Sequence, residues 1–338
     1  MADTTTNTAS KVAVSDLAPD HLQAFTKALR RVMDADHTRY ALAQIVDGLP
    51  TRDVYKVYGP RWRALNDHLE PSSEAVEMAR EFVTNFRPDV LYIESNLAQA
   101  FQDSSIGTRQ FHLRLLELVA VAFHMTAAVL SDNTNSTPYK RPMDVWQRGQ
   151  PIPENTPMPP RFPTLLFHVH YKAYDQYPLG IPDAVGYWAE TQVFGGVVLF
   201  DRDESEIECR EAFLHPNANY AIFQLSEGQI AQFADFALND AYNDTNPPPN
   251  VLPIRGERYA RRVYPEDAMQ LLIFRDRYER RPWQPLPGRT VHPRRRLEDD
   301  PWLMDLIAEH NKNHPLPSSE GSSAPEQNGS ESSLDSKP

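Results

Sequence analysis

The chain has 338 residues, 41% of them apolar, which is enough for one large domain or two ordinary domains with a sizeable buried core. Its formal charge of −12 disfavours binding to nucleic acid or to an anionic membrane through the surface as a whole, and 30 prolines against 13 glycines disfavour glycine-rich phosphate loops. The single cysteine, Cys209, excludes an intramolecular disulfide and a multi-cysteine metal site and predicts a reducing compartment, the cytoplasm or the nucleus.

The N-terminal part of the chain is predicted to be helical. Residues 1–14 are polar and threonine-rich and are expected to be disordered. Residues 15–136 form a helical region, in which apolar side chains recur at helical spacing over 15–33, 38–46, 73–86, 88–101 and 108–130. The last segment is apolar on nearly every side, but Glu117 and His124 interrupt it and it is too short for a membrane span. It therefore predicts a buried central helix and no membrane insertion.

Residues 137–163 separate this region from the rest of the chain. The segment holds eight prolines in 27 residues, which excludes a regular helix and disfavours a central strand. It is interpreted either as a free linker or as a rigid strap on the surface, and Trp146 favours the strap.

Residues 164–314 form a strand-rich region that also contains helices. Runs of β-branched and aromatic residues predict strands over 164–174, 185–193, 195–201, 220–224 and 268–274. Ser226 begins a predicted covering helix, and 301–310 is a predicted short final helix. The fold class is therefore α+β, with an N-terminal helical half packed against a C-terminal, mainly antiparallel β-sheet. Residues 315–338 are rich in serine, proline and acids and are expected to form a disordered acidic tail.

A histidine pair suggests a metal site. His168 and His170 alternate in an apolar run and would share one face of a strand. Followed by Glu190 and His215, they are similar to the ligand order of cupin metalloproteins, which bind a divalent ion. The glycine that cupins have before the pair and the glutamate soon after it are missing here. The alternative is that these are ordinary histidines whose hydrogen bonds are satisfied within a sheet.

The segment 275–296 carries eight arginines and two acids in an otherwise acidic chain. Arginines with interleaved aromatic residues are typical of nucleic-acid contacts, and the proline-spaced loop Pro282–Pro287 is typical of a segment that docks to a partner protein. The simpler interpretation is that these arginines pair with acids of the same protein, which makes nucleic-acid binding unlikely. Cys209 and His215, six residues apart, could serve as a thiol nucleophile and its base, but a single cysteine in such a run is typically buried and inert.

Residues 194–217, FGGVVLFDRDESEIECREAFLHPN, and 220–238, YAIFQLSEGQIAQFADFAL, carry a recognisable pattern. The pattern resembles one found in uncharacterised proteins of filamentous fungi. The resemblance implies a lineage and no residue-level function.

Three functional hypotheses follow from the sequence. The leading one is a soluble intracellular binding or scaffold protein whose partner contacts the C-terminal sheet or the Pro282–Pro287 loop. The second is a metal-dependent small-molecule enzyme with a cupin-like site. The third is nucleic-acid binding through residues 275–296. Motifs for nucleotide binding, serine hydrolysis and zinc proteolysis are missing from the sequence, so whether the protein is an enzyme stays open.

Overall fold

The computed structural model describes residues 10–55, 65, 67–134, 162–217, 220–242, 246–281, 299–300 and 302–314, and its fold is α+β. The N-terminal helices begin at Pro19, and proline at this first position is favoured because it lacks the N–H that a helix start leaves unpaired. These elements are α1 (Pro19–Asp34), α2 (Asp36–Asp47), α3 (Arg52–Tyr55), α4 (Ser73–Asn85), α5 (Ser95–Gln102) and α6 (Arg109–Thr134). Two short strands, β1 (Lys11–Ala13) and β2 (Tyr92–Glu94), pair antiparallel beside them.

The C-terminal elements form one five-stranded antiparallel sheet with helices around it. The strand order is β6-β5-β4-β3-β7, and Leu199 of β3 lies opposite Phe213 of β4. The strands are β3 (Val197–Asp201), β4 (Ala212–His215), β5 (Ile222–Gln224), β6 (Arg262–Val263) and β7 (Ile273–Phe274). The helices are α7 (Ile181–Phe194), α8 (Glu227–Leu238), α9 (Pro265–Ala268) and α10 (Trp302–Asn313).

Helix α6 lies at the centre of the molecule and joins the two halves. It packs along α7 and also contacts α1, α2, α5 and α8. By length and composition it could cross a membrane, but 83% of its most apolar window is buried inside the protein, as expected of a core helix. One continuous apolar cluster includes residues of α1, α2 and α6 together with residues of β3 and β4. The helical half therefore packs against the sheet, as the sequence predicts.

The two faces of the sheet bury different sets of side chains. Val198 and Phe200 of β3 face the large helical cluster, whereas Val197 and Leu199 face a smaller cluster on the other side. Successive side chains of a strand point to opposite faces, so a strand buried on both sides is apolar throughout. Residues 171–184, together with α9, cover the smaller cluster.

Two predicted strands are wrong. Residues 185–193 lie in helix α7, which begins with proline at 182 and ends at Gly195 in a left-handed conformation with φ +93°. This helix is buried on almost every side, so its sequence shows no helical periodicity and is indistinguishable from a buried strand. Residues 164–174 form loop and turns that lie against the sheet, and their apolar character comes from that burial.

Other boundaries also differ from the prediction. The segment predicted as one helix, 88–101, instead forms a 3-10 turn, strand β2 and helix α5. In the predicted strand 268–274, only the last two residues form strand β7, and the residues before them belong to the end of α9 and a turn. The predicted disordered segment 1–14 includes β1, which is ordered by its pairing with β2. The predicted strap 137–163, except for residues 162 and 163, and the predicted tail 315–338 lie outside the described residues.

Candidate functional site

A cavity of about 410 Å³ opens between helices α6 and α7, the paired strands β1 and β2, and the segments that follow β3 and β7. Its mouth is rimmed by apolar side chains that are exposed to solvent, whereas its floor carries buried charged groups. The apolar walls are formed by Tyr92, Leu97, Val121, Met125, Val129 and Leu179.

Helix α6 supplies one wall and part of the floor. Arg114, Glu117, Val121, His124 and Met125 all line the cavity. Their spacing of three, four, three and one residues places them on one face of a helix. Most of the remaining buried side chains of α6 are apolar, so the charged side chains Arg114 and Glu117, together with His124, interrupt a largely apolar core helix where it lines the cavity.

His124 is the titratable group at the centre of the floor, and both of its ring nitrogens face carboxylates. Nδ1 lies 2.7 Å from Glu190 Oε1, and Nε2 lies 3.3 Å from Asp183 Oδ1. Burial alone would lower the pKa of His124, but the hydrogen bonds to Asp183 and Glu190 outweigh it and raise the pKa. Because a carboxylate oxygen lies within hydrogen-bond distance of each ring nitrogen, the geometry fits an imidazolium that donates from both nitrogens.

Arg275 lies beside this imidazolium and completes the charge network. Its Nη2 is 3.3 Å from Nδ1 of His124, but the shorter contact of Nδ1 with Glu190 identifies the carboxylate as the acceptor. Arg275 Nη1 donates to Glu190 Oε1 at 2.6 Å. Glu190 Oε2 accepts the backbone N–H of Val198 at 3.1 Å.

Glu190 is held as a carboxylate by these neighbours. Its side chain is fully buried, and burial would raise its pKa, but the charges of Arg275 and His124 and their hydrogen bonds lower it. One carboxylate thus connects α6, α7, β3 and the segment after β7.

A second buried network lies nearer the N-terminal end of α6. Glu117 bridges two arginines, because Arg114 Nη1 donates to its Oε2 at 2.9 Å and Arg202 donates to its Oε1. The exposed fractions of the three side chains are 5%, 2% and 7% for Arg114, Glu117 and Arg202. Arg202 also donates to the backbone oxygens of Phe274 and Arg275, at 3.2 and 3.1 Å. A buried pair of this kind is costly to break because each partner would be left charged in the interior.

The three histidines of the predicted metal site do come together. The ring centroids of His168 and His215 are 5.0 Å apart, and those of His170 and His215 are 4.6 Å apart. His168 is engaged at both nitrogens: Nε2 donates to the His215 backbone oxygen at 3.0 Å, and Nδ1 accepts the His170 backbone N–H at 3.2 Å. His215 Nδ1 contacts the Tyr171 hydroxyl at 3.2 Å.

Glu190, the fourth predicted ligand, bonds to His124 and Arg275 instead of to these histidines. Burial lowers the pKa of His168 and His215 well below the usual value and that of His170 to about 4, so the cluster is neutral. In the described part of the chain, no group of three or more His, Cys, Asp or Glu side chains is arranged to hold a metal ion. Binding of a divalent ion by His168, His170 and His215 stays a prediction.

The described arginines of the basic segment pair with acids of the same chain. Arg275 pairs with Glu190, and Arg280 pairs with Glu279, both in the interior. At the surface the pairs are Arg277 with Glu206 and Arg281 with Asp175. These contacts agree with the simpler interpretation made from the sequence. The predicted docking loop Pro282–Pro287 and the remaining arginines lie outside the described residues.

Cys209 is fully buried and belongs to the helical core cluster. Burial, with a smaller contribution from Glu117, raises the pKa of its thiol well above the usual value, which disfavours a reactive thiolate. Nδ1 of His215 contacts the Tyr171 hydroxyl, and its Nε2 has no hydrogen-bond partner among the described residues, so the predicted base is not bonded to the cysteine.

The charged floor of the cavity is not among the sites predicted from the sequence, although the sequence carries a signal of it. Glu117 and His124 interrupt the apolar helix, and their spacing from Arg114 places all three on one helical face. Polar side chains on one face of a core helix indicate a buried network or a cavity. The partners Asp183 and Arg275 come from distant segments, and no local pattern marks them.

Comparison of the chain with protein-family models, with curated proteins and with solved structures finds no match. The site is therefore interpreted from its own geometry.

Proposed function

We propose that the protein binds a small organic molecule in the cavity between α6 and α7. The apolar body of the ligand packs against the walls, and a polar group of the ligand faces the charged floor. The proposal differs from the leading hypothesis made from the sequence, in which a partner protein contacts the C-terminal sheet or the Pro282–Pro287 loop.

One observation carries the proposal: the cavity places apolar walls directly above buried charged groups. Its volume of about 410 Å³ falls within the range of about 300–1,000 Å³ that is typical of ligand sites. Such sites are mostly apolar and contain a few fixed polar groups that orient the ligand. Here His124, Asp183 and Arg114 line the cavity, and their side chains are held by hydrogen bonds.

The titration of His124 also supports a functional site. Titratable groups whose pKa is shifted by burial and by specific charged partners are enriched in such sites, although structural networks shift pKa values too. The raised pKa of His124 arises from Asp183 and Glu190, and its ring lies in the floor of the cavity. An imidazolium in this position can donate a hydrogen bond or a proton to a bound molecule.

A second groove, between α8 and residues 249–255, is the weaker candidate. It is more open, and its lining includes Gln229, Gln232 and Asp235 with prolines and backbone of the loop. No buried charged network of the described residues reaches this groove. A tightly held small ligand is expected in the less open cavity between α6 and α7 instead.

The proposal can be tested by filling the cavity. Val121 is half-buried in its wall, so Val121→Trp should occupy the space that a ligand needs. Val76→Trp, at an exposed position of α4 away from the cavity, is the matched control. A library of small aromatic and aliphatic fragments is screened by thermal denaturation of the full chain. Fragments should raise the melting temperature of the wild type and of Val76→Trp but not of Val121→Trp. Equal shifts in all three proteins, or no shift in the wild type, would refute the proposal.

A further inference from the structure

We infer that helix α10 docks against α10 of a second copy of this chain, with the two helices antiparallel about a two-fold axis. No residue of α10 lines the cavity between α6 and α7. The inference therefore concerns a second surface and goes beyond the proposed function.

Helix α10 carries the inference because all 12 of its residues are exposed. No other helix or strand of the described chain packs along it. Single exposed apolar side chains are normal, whereas a group of them on one helix marks an interaction surface. The large apolar side chains of α10, each exposed by 40% to 57%, are Trp302, Leu303, Met304, Leu306 and Ile307.

Contacts of Asp305 and Trp302 attach α10 to β6 and the segment before it. Asp305 forms an ion pair with Arg258, and its other carboxylate oxygen lies 3.5 Å from the Tyr259 hydroxyl. The guanidinium of Arg262 lies over the ring of Trp302, 5.5 Å from the ring centroid. The side of the helix that carries Asp305 therefore faces the body of the protein.

The apolar side of α10 points away from that body. Leu303 and Ile307 lie two residues before and after Asp305, which places each of them about 160° around the helix from it. Leu306 lies between Trp302 and Ile307 around the helix. An amphipathic helix normally buries its apolar side against its own core, so the reverse orientation leaves this side for a partner.

This apolar side is complementary to itself when two copies pack antiparallel. A two-fold axis between residues 306 and 307 brings Leu306 against Leu306 of the second copy and Ile307 against Ile307, and Leu303 then meets His310. Each copy offers the same patch to the other, as a two-fold interface requires. The macrodipoles of the two helices are opposed in this orientation, which is favourable.

The end of the helix that begins at Asp300 favours the antiparallel orientation over the parallel one. The backbone oxygen of Asp300 accepts the Leu303 N–H at 2.9 Å, so this residue continues the first turn. Antiparallel packing places its carboxylate beside His314 of the second copy, whose imidazole can donate to it, whereas parallel packing places two carboxylates together. The other charged side chains of α10 lie on its polar side, away from this contact: Asp305, Glu309 and Lys312.

The exposed apolar area also suits a dimer. A large apolar side chain has a surface on the order of 200 Å², so five that are exposed by 40% to 57% present roughly 400 Å² per chain. Two copies would bury roughly 800 Å² of apolar surface, the apolar share of an interface near the lower end of the range of about 1,200–2,000 Å² for specific complexes. We therefore expect a reversible dimer with a dissociation constant on the order of 10 μM.

Sedimentation velocity of the full-length chain, from about 1 to about 200 μM, measures this constant. Leu306→Asp places two carboxylates together at the axis and should raise the dissociation constant at least about thirtyfold. Its melting temperature under dilute, monomeric conditions should stay unchanged, because no residue of α10 is buried. Val76→Asp, at an exposed position of α4, is the matched control and should dimerise like the wild type. A chain that is still monomeric at about 200 μM would overturn the inference and leave the apolar side to a different protein. A dimer that Leu306→Asp does not weaken would overturn it too.

Cross-linking tests the antiparallel orientation. Cys209 is fully buried, so a cysteine introduced on α10 is the accessible thiol of the chain. Two copies of residue 307 lie beside the axis, whereas two copies of residue 313 are separated by about 20 Å along the helices. A short bismaleimide should therefore join two chains of Ile307→Cys and should leave Asn313→Cys and the control Val76→Cys as single chains. Equal cross-linking of Ile307→Cys and Asn313→Cys, or none of Ile307→Cys, would contradict the antiparallel pair.

Discussion

Gly186 of α7 lies directly against the imidazole ring of His124 in α6. A Cβ atom at residue 186 would be 2.7 Å from Cε1 of His124, closer than nonbonded carbon atoms approach. The absence of a side chain therefore allows the two helices to approach closely at the point where the buried imidazolium lies. This contact fixes the position of His124 relative to Asp183 and Glu190, which are both on α7.

The first prediction concerns this contact. Gly186→Ala should destabilise the protein by about 1–3 kcal/mol, because overpacking outweighs the higher helix propensity of alanine. Gly228→Ala is the matched control, since that glycine is exposed in α8 and its nearest neighbour would be Ser226 Oγ at 3.7 Å. Urea denaturation measures the free energy of unfolding of both variants. Equal stability of the two variants would show that the space beside His124 is not needed.

The second prediction concerns the carboxylate shared by His124 and Arg275. Glu190→Gln should cost about 3–5 kcal/mol, because it removes the fully buried anion that His124 and Arg275 share and leaves each with one more distant or more exposed carboxylate. It should also lower the pKa of His124, since Glu190 is one of the two groups that raise it. Glu206→Gln breaks the half-exposed pair with Arg277 and should cost less than about 1 kcal/mol. Urea denaturation at pH 7 compares the two variants, and a loss for Glu190→Gln no larger than that of Glu206→Gln would contradict the network.

The third prediction concerns the pH dependence caused by the histidine cluster. The pKa of His170 is about 4 in the folded protein, lowered first by burial and then by Arg280 and Lys172, whereas Asp299 opposes the shift. In the unfolded chain this histidine binds a proton near pH 6.5. The contribution of a neutral His170 to the free energy of unfolding is therefore fully present above this pH and is lost as the pH falls toward 4. His168 and His215 contribute in the same direction.

His124 and His68 act in the opposite direction, because their raised pKa values favour the folded state at low pH. The contribution of His170 is therefore isolated by comparing the wild type with His170→Gln. As the pH falls from 6.5 to 4, the free energy of unfolding of the variant should rise relative to that of the wild type by on the order of 3 kcal/mol. This figure follows from the difference of about 2.5 between the pKa of His170 in the unfolded and in the folded chain. Urea denaturation at several pH values provides the measurement. Parallel pH profiles of the two proteins would be inconsistent with a neutral buried His170.

The fourth prediction concerns the single cysteine. Cys209 is fully buried with a raised pKa, so a thiol reagent such as 5,5′-dithiobis(2-nitrobenzoate) should react with well under about a tenth of the native protein. In denaturing urea the same reagent should titrate one thiol per chain, since the sequence has no other cysteine. Fast stoichiometric reaction of the native protein would mean that the core around Cys209 is open.

The sequence predicts the parts of this fold in which local pattern and burial agree. Helix α8 follows Ser226, whose side chain accepts from Gln229 N in a complete capping box, so its start is encoded locally. The sequence predicts helix α6 because its apolar segment is too long for a strand. It does so even though apolar side chains lie on nearly every side of the helix and show little helical periodicity. Elements of this kind are enough to predict the α+β fold class from the sequence.

The sequence does not predict elements whose character is set by distant neighbours. Helix α7 has no polar face because α6, α2 and β3 surround it. Its apolar sequence therefore predicts a strand, which is wrong. The charged floor depends on Arg275, which lies 85 residues from Glu190 along the chain and meets it only through the register of β7 beside β3. The sequence predicts that His168 lies near His215, but on a strand, whereas in the structure His168 lies in a loop packed on the sheet.

The most direct test of small-molecule binding in the cavity is methyl NMR of methionine. Met125 lines the cavity on α6, whereas Met78 is exposed on α4 and Met33 is buried in the helical core. Protein labelled with ¹³C at the methionine methyl groups is titrated with a fragment that raises the melting temperature of the wild type, and the Met125 resonance is assigned with Met125→Leu. Binding in the cavity predicts a saturable shift of the Met125 methyl resonance while those of Met78 and Met33 stay in place. A saturable shift at Met78 without one at Met125, or no shift at Met125 at the solubility limit of the probe, would contradict the account.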